Sequence, residues 1–170
     1  AGINAVGPFD PSISPDGKSL VYIQRVNEKL SLWVGTIDTN SSVPIYQEPD
    51  LLPINPTFSP DGSSVYFVIK GDKRRKAVLV RRPVLGGAIT ELIEDVAGSP
   101  TFSPDGKQLA LMRNDAETRQ STIIIADTAD GKNEHTLLTR QAPTNFSNTA
   151  LSWSPDGRYI AFGSHKPDGR

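Results

Sequence analysis

The chain has 170 residues and no cysteine, which excludes a disulfide framework, a thiolate nucleophile and a zinc site built on cysteine. Its 18 lysines and arginines are balanced by 19 acidic residues, so no overall field favours nucleic acid or an anionic membrane. The longest wholly apolar run, residues 65–69, is far shorter than the about 20 residues that span a bilayer. We therefore expect no nucleic-acid partner and no membrane insertion by this segment.

Sequence motifs of catalysis are also missing. The chain contains no Gly-x-Ser-x-Gly elbow, no phosphate-binding loop, no Gly-x-Gly-x-x-Gly and no His-Glu-x-x-His. Its two histidines, His135 and His165, fall in a predicted outer strand and in a polar tail, and two such residues make no metal site. Asp127, Asp130 and Gly131 resemble part of a calcium loop but lack its other oxygen ligands, so a turn is the better interpretation. We predict no enzyme activity, cofactor or metal site in this chain.

Glycine and proline, by contrast, are abundant at 14 residues each, without a collagen period or a low-complexity tract. This composition predicts many turns. The tetrapeptide Ser-Pro-Asp-Gly occurs four times, with starting positions 45, 44 and 51 residues apart. The residues of these structural turns are Ser14, Pro15, Asp16 and Gly17; Ser59, Pro60, Asp61 and Gly62; Ser103, Pro104, Asp105 and Gly106; and Ser154, Pro155, Asp156 and Gly157.

The chemistry of this tetrapeptide favours a tight hairpin. Proline presets φ near −65°, aspartate forms local side-chain hydrogen bonds, glycine accepts a left-handed conformation, and the serine hydroxyl can accept a backbone N–H bond across the turn. An apolar or aromatic residue precedes each copy, and another apolar residue follows each glycine by three positions. Because all four aspartates share one turn context, we predict a structural role for them. Trp33 and Trp153 are predicted to pack between blades rather than to form a ligand cage.

The segments between the turns read as β-strands. Short apolar strands follow each turn, at residues 20–23, 65–69, 109–112 and 159–162, and we expect them to be sandwiched between neighbouring sheets. A third set of strands is rich in β-branched residues, and a weaker fourth set follows it. Residues 110–121 are the best helical alternative, but they lack an apolar stripe and are predicted as strand, loop and strand.

Four strands for each repeat of about 45 residues predict an all-β fold: a β-propeller arc of four-stranded antiparallel blades. The strand count gives about three and a half blades in one partial domain, residues 1–170. The repeats fall at about 10–46, 55–93, 100–138 and, incompletely, 150–170. The chain opens at Ala1 without a methionine or a leader-like segment, so we expect a mature or excised part of a longer protein.

These repeats resemble the TolB-like, WD-like β-propellers of bacteria, in which an apolar residue precedes Ser-Pro-Asp-Gly-Lys/Arg and a short apolar strand follows. The resemblance covers the whole chain. Residues 82–87, 92–96 and 101–107 further resemble the propeller appended to bacterial receptor-type Ser/Thr protein kinases. The resemblance implies a sensor or protein-interaction module, and rings of six to eight blades. An arc leaves a blade face and a sheet edge exposed at each end, so we expect pairing with the remaining blades of a parent chain or self-association.

One local feature of the sequence suggests recognition. Seven of the 18 basic residues lie within positions 70–82, and the predicted tip of this hairpin contains Lys73, Arg74, Arg75 and Lys76. In a meander this tip lies at the end of the blade opposite the Ser-Pro-Asp-Gly turn, an end we expect it to share with loops 113–120 and 141–148. These four residues are the possible partner-binding site, because binding residues often occupy loops on a rigid scaffold.

The leading hypothesis is a noncatalytic sensor or protein-interaction propeller of a larger bacterial signalling protein, binding a protein or small ligand. Two alternatives stay open: the propeller of a prolyl-oligopeptidase-like serine peptidase, and a periplasmic TolB-like envelope protein. The first would have a Gly-x-Ser-x-Gly elbow after Arg170, and the second a signal peptide and a small α/β domain before Ala1. We expect a periplasmic or otherwise extracytoplasmic location.

Overall fold

The structure is a computed structural model that describes residues 11–27, 29–48, 51–70, 76–142, 144–146 and 151–165. Every regular element in these residues is a β-strand, and the described part contains no helix long and apolar enough to span a membrane. The contacts group the chain into two compact units, Ala1–Glu94 and Asp95–Arg170. The single domain predicted over residues 1–170 stays a prediction.

The first unit contains two four-stranded antiparallel blades. In each blade the strands follow one another in sequence order, so the chain forms a meander from inner to outer strand. The strands of the first blade are β1 (Ser12–Ile13), β2 (Ser19–Val26), β3 (Lys29–Thr36) and β4 (Ser41–Tyr46). Those of the second blade are β5 (Leu52–Phe58), β6 (Ser64–Lys70), β7 (Val78–Pro83) and β8 (Thr90–Glu94).

The second unit contains a third blade of the same topology and the beginning of a fourth. The third blade consists of β9 (Ala97–Phe102), β10 (Gln108–Asp115), β11 (Gln120–Asp127) and β12 (His135–Gln141). Two short antiparallel pairs follow, in which the outer pair β13 and β16 flanks the inner pair β14 and β15 along the chain. Their bounds are β13 (Asn145–Phe146), β14 (Ser152–Trp153), β15 (Ile160–Ala161) and β16 (Ser164–His165). The predicted all-β partial propeller of about three and a half blades is confirmed.

Each unit has an apolar core between successive blades. In the first unit, Val21 and Leu32 pack in one buried cluster with Val65 and Phe67, and the Tyr46 and Phe67 rings lie 5.2 Å apart. Burial of these alternate side chains fixes the register of the strands, because a slip of one residue would turn them to the other face.

The core of the second unit joins the third blade to the start of the fourth. Met112 and Ile123 are buried with Phe146, whose ring meets that of Phe162 edge-on at 5.0 Å. Trp153 packs against the same cluster. The blade-packing role predicted for this tryptophan therefore agrees with its position in the structure.

The structure also departs from the predicted strand boundaries. The first strands of the second and third blades begin at Leu52 and Ala97, three residues before the approximate starts of the predicted repeats, 55 and 100. Left-handed residues, Asn55 at φ 53° and Gly98 at φ 78°, lie at register shifts inside these strands, so pairing continues past the irregularity. The buried strand predicted at residues 159–162 is wrong: only Ile160–Ala161 is paired, and Tyr159 is 64% exposed. Among the described residues β15 has a partner strand, β14, on one side only.

Candidate functional site

The Ser-Pro-Asp-Gly turns are locked by a small hydrogen-bond network, seen clearly in the third blade. The Ser103 hydroxyl donates to Asp105 Oδ1 at 2.7 Å and accepts the Gln108 N–H at 2.9 Å. Asp105 Oδ1 also accepts the Lys107 N–H at 3.1 Å, and the Gly106 N–H donates to the Ser103 carbonyl at 2.8 Å. The serine is buried although it is polar, because these partners satisfy its hydroxyl.

The same network occurs in all four turns. The serine Oγ lies 2.6–2.7 Å from the aspartate Oδ1 in each copy, and the glycine φ values are 72°, 72°, 69° and 73°. The serine hydroxyl and then a backbone N–H lower the pKa of each turn aspartate below its ordinary value of 3.8. These carboxylates are engaged by their own turns, so they hold the hairpin and are poor candidates for catalysis or metal binding.

The opposite end of the third blade contains a polar cleft beside the hairpin that joins β10 and β11. Its volume is about 410 Å³. It is lined by Asn114, Arg119, Gln120, Ser121 and Phe146, together with two further residues of the hairpin. Ser121 Oγ donates to Asn114 Oδ1 at 2.9 Å. At the hairpin tip, Asp115 Oδ1 accepts hydrogen bonds from the backbone N–H groups of residues 117 and 118. The lining of this cleft therefore includes amide and guanidinium groups.

A second cleft of about 260 Å³ shares three lining residues of this hairpin. Arg113, which lines this cleft, donates through both terminal nitrogens to the Glu134 carboxylate, and its Nη2 lies 2.7 Å from Oε2. Such a bidentate pair fixes the orientation of both side chains. The loop predicted at residues 113–120 is shorter in the structure, because β10 continues to Asp115 and β11 begins at Gln120. Residues of this hairpin line both clefts together with residues from elsewhere in the unit. The contribution of Phe146, stacked under the Arg140 guanidinium at 5.9 Å, had no local signal in the sequence.

The first blade has a cleft at the corresponding end. Val26, Asn27, Lys29, Ser31 and Gln47 line about 280 Å³ at the hairpin between β2 and β3. In the first and third blades alike, then, clefts lie at the hairpin that joins the second and third strands. At the other end of the blade, the described residues of the Ser-Pro-Asp-Gly turn form hydrogen bonds with one another.

The basic cluster of the second blade is divided by the structure. Lys73, Arg74 and Arg75 lie outside the described residues, and Lys76 is exposed. Arg82, by contrast, is half-buried on β7 and donates through Nη1 to the carbonyl of Ile45. Its role within the first unit is therefore structural, and the possible partner-binding set stays limited to the hairpin tip.

Of the other polar candidates, His135 lies in the predicted outer strand, whereas His165, predicted in a polar tail, lies in a short paired strand. His135 is exposed at the start of the outer strand β12, and His165 ends β16. Asp127 accepts a hydrogen bond from Asn133 Nδ2 at 2.6 Å, and a turn with Gly131 at φ 70° follows it. Within the described ranges no group of three or more histidine or acidic side chains could hold a metal ion.

The relationship to known proteins agrees with this architecture. Residues 1–162 match the family model described as the lipoprotein LpqB β-propeller domain. The chain belongs to this family. No curated protein sequence matches the chain.

Solved structures with the same fold include two TolB proteins and a peptidase. TolB from Acinetobacter baumannii matches with a TM-score of 0.73 and 21% identity, over 95% of this chain and 38% of that one. A protein described as TolB from Agrobacterium tumefaciens gives 0.68 and 24%, over 89% and 57%. Prolyl oligopeptidase B from Galerina marginata gives 0.67 and 14%, over 95% and 27%.

These likenesses establish the fold of this LpqB-type propeller and the TolB-like part of the predicted resemblance. The chain spans about two fifths and three fifths of the two TolB structures. The finer likeness to kinase-appended propellers stays a prediction.

Proposed function

We propose that this LpqB-type propeller is a noncatalytic binding module of a larger bacterial envelope or signalling protein. The observation that carries the proposal is the contrast between the two ends of a blade. One end is closed by a serine, an aspartate and a glycine that satisfy one another, and the other presents clefts lined by hydrogen-bonding side chains. A rigid scaffold with one accessible loop end is typical of recognition domains.

The proposed location is outside the cytoplasm. The description of the family as a lipoprotein domain supports it. Lipoproteins are anchored at membrane surfaces, where a protein-binding propeller can meet partners of the envelope. A sensor role would require the ligand to bind two states of the whole protein with different affinity, since equal affinity shifts no equilibrium.

Within this loop end, we assign partner recognition to Lys73, Arg74, Arg75 and Lys76. Four adjacent cations attract an acidic surface over about a Debye length, roughly 8 Å at physiological salt. Their contribution is to association rate and orientation more than to residence time. The partner that this charge fits is an acidic protein surface.

Site-specific photocrosslinking tests the proposal in the envelope of the native host. A photoreactive amino acid replaces Lys73, Arg75 or Asn27 at the loop end, and Lys18, Lys107 or Lys132 at the turn end. We expect one discrete crosslinked partner from loop-end positions and none from turn-end positions. Equal crosslinking from both ends, or none from either, contradicts the proposed recognition surface.

Charge substitution then measures the basic tip against the identified partner. Changing Lys73, Arg74, Arg75 and Lys76 to glutamine should slow association at least tenfold at low salt. The matched control changes Lys18, Lys107, Lys132 and Arg158, which removes the same charge at the turn end of the blades. An association rate that falls equally in both variants, or in neither, removes the tip from the recognition surface.

A second candidate function is the gating propeller of a serine peptidase, which the fold likeness to prolyl oligopeptidase B favours. Such a protein would contain its nucleophilic serine outside this chain. Labelling of the complete protein by a fluorophosphonate probe, blocked by heat denaturation, would support the peptidase; absence of labelling supports the binding module.

A further inference from the structure

The outer strands of the three complete blades differ in the residues that block pairing at their free edges. β4, β8 and β12 each end their four-stranded sheet, so each has one side without a neighbouring strand among the described residues. A free edge has unpaired N–H and C=O groups that can pair with another extended chain. Natural proteins block such edges with proline, charge or irregular geometry.

The three edges can be compared residue by residue because each contains a register shift at the same place. In the first blade the register shifts between Leu32, opposite Tyr46, and Trp33, opposite Pro44. In the third it shifts between Ile123, opposite Leu138, and Ile124, opposite Thr136. In the second blade the register shifts between Leu79, opposite Ile93, and Val80, opposite Glu91. Pro44, Glu91 and Thr136 therefore occupy equivalent positions.

Two of these three positions have a blocking residue. Pro44 has no N–H, so it cannot donate to an added strand. Glu91 places a carboxylate on the edge of β8, and Glu94 adds another on the same five-residue strand. Thr136 is exposed, retains its N–H and is uncharged. β12 contains no proline and no acidic residue; its one permanently charged side chain, Arg140, lies four residues beyond Thr136, and a bulge interrupts its ladder.

The bulged residue itself gives a second difference. Ile45, which follows Pro44, is 3% exposed and belongs to the core of its unit. Leu92 of β8 is half-buried, whereas Leu137 of β12 is 49% exposed. The third blade thus presents an apolar side chain beside the unblocked backbone, where the first blade buries its counterpart.

We propose that the β12 edge binds an extended segment of a partner protein as an additional strand, with β-branched and acidic side chains in that segment. Backbone hydrogen bonds would supply affinity, and side-chain contacts with Leu137 would supply specificity. Acidic residues fit because β12 contains Arg140 but no carboxylate. The nearby Glu134 carboxylate is already engaged by Arg113. A second copy fits less well, because its own β12 would bring another arginine.

This surface is distinct from the basic hairpin tip, so the two proposals can fail separately. The probe is a fluorescein-labelled peptide, acetyl-Glu-Val-Thr-Val-Thr-Glu-amide, titrated with the full chain by fluorescence anisotropy. Thr136→Pro copies the residue that the first blade has at this position, which its β-ladder accommodates. We expect saturable binding by the parent chain and at least tenfold weaker binding by Thr136→Pro. Thr136→Val, which retains the N–H, should bind within twofold of the parent.

Further variants exclude trivial explanations. Thr136→Glu copies the second blade and should also weaken binding, while a peptide with lysine in place of both glutamates should bind more weakly to the parent chain. Melting temperatures identify any variant that fails to fold, and Thr136→Glu then decides. Any one of three results would overturn the proposed occupant. These are absence of saturable binding, equal affinity of the parent and Thr136→Glu, and self-association that Thr136→Glu abolishes. Glutamine replacement of the basic tip should leave peptide affinity unchanged.

Discussion

Removing the Ser103 hydroxyl offers a direct test of how the repeated turns stabilise the propeller. Ser103 is 6% exposed, and its Oγ is the acceptor for the Gln108 N–H at 2.9 Å. In Ser103→Ala that partly buried N–H loses its acceptor, because the new methyl group cannot accept a hydrogen bond. The Asp105 contact is lost as well, but this carboxylate is exposed and regains water, so it adds little.

The magnitude follows from the orphaned donor. Leaving a buried N–H unsatisfied costs about 1–3 kcal/mol, and partial access to water places this case near the lower half, about 1–2 kcal/mol. For a chain of this size the melting temperature should fall by about 2–8 °C. Since the Ser103 hydroxyl is the largest cause of the lowered pKa of Asp105, that pKa should rise towards its ordinary value.

Calorimetry and carboxyl-detected NMR titration measure these two effects on the same variant. Ser152→Ala is the matched control, because Ser152 is an exposed serine on β14 of the same unit. It should change the melting temperature by less than about 2 °C, in line with surface substitutions that change stability by at most about 0.5 kcal/mol. A Ser103→Ala variant that melts with the control, or an Asp105 pKa that does not move, would refute the role assigned to the turn network.

Three other perturbations should have distinct outcomes. Gly62→Ala should cost about 1–2 kcal/mol of folding free energy, because φ is +72° there. Gly35→Ala should cost less than about 0.5 kcal/mol, because its added Cβ would meet only ordinary contacts at 3.5 Å. Urea unfolding compares the two variants, and equal costs would contradict the strain argument. Phe67→Ala should cost about 3–5 kcal/mol, because the ring is fully buried against Tyr46, and a cost below about 1 kcal/mol would show that the site is not a packed core. The four turn aspartates have lowered pKa values, so their stabilisation is complete above about pH 4 and is lost as the pH falls through their folded-state pKa values; a urea midpoint unchanged between pH 5 and pH 2.5 would argue against this linkage.

Local chemistry made the turns and the buried strands predictable. Proline, aspartate and glycine each have a backbone preference that acts within four residues, so the four hairpins could be assigned without knowing what surrounds them. Continuous apolar runs such as residues 65–69 likewise predicted strands buried on both faces, and all five of these side chains are buried. The strand, loop and strand predicted in place of a helix at residues 110–121 is also present, as β10, a hairpin tip and β11.

Features that depend on neighbouring strands were beyond the sequence. The inner strands β5 and β9 contain bulges at Asn55 and Gly98, and each strand pairs with its neighbour on both sides of the bulge. Arg82, one of the seven basic residues within positions 70–82, has a structural role, because its guanidinium donates to the Ile45 carbonyl of the preceding blade. The candidate clefts were predictable as loops but not as clefts, since Phe146 joins a wall from a segment distant in sequence.

The sequence by itself determined the repeat, the turn between the first two strands of each blade and the four strands of each complete blade, because these rest on preferences of single residues and on apolar spacing. The short strands β13 and β16 were not predicted. Only the tertiary structure decided which polar residues are buried and which blade edge is unblocked. Pro44, Glu91 and Thr136 become equivalent only once the bulges align the outer strands. The physical reason is that burial and edge pairing depend on what lies beside a residue, and that is set by contacts between strands far apart in the chain.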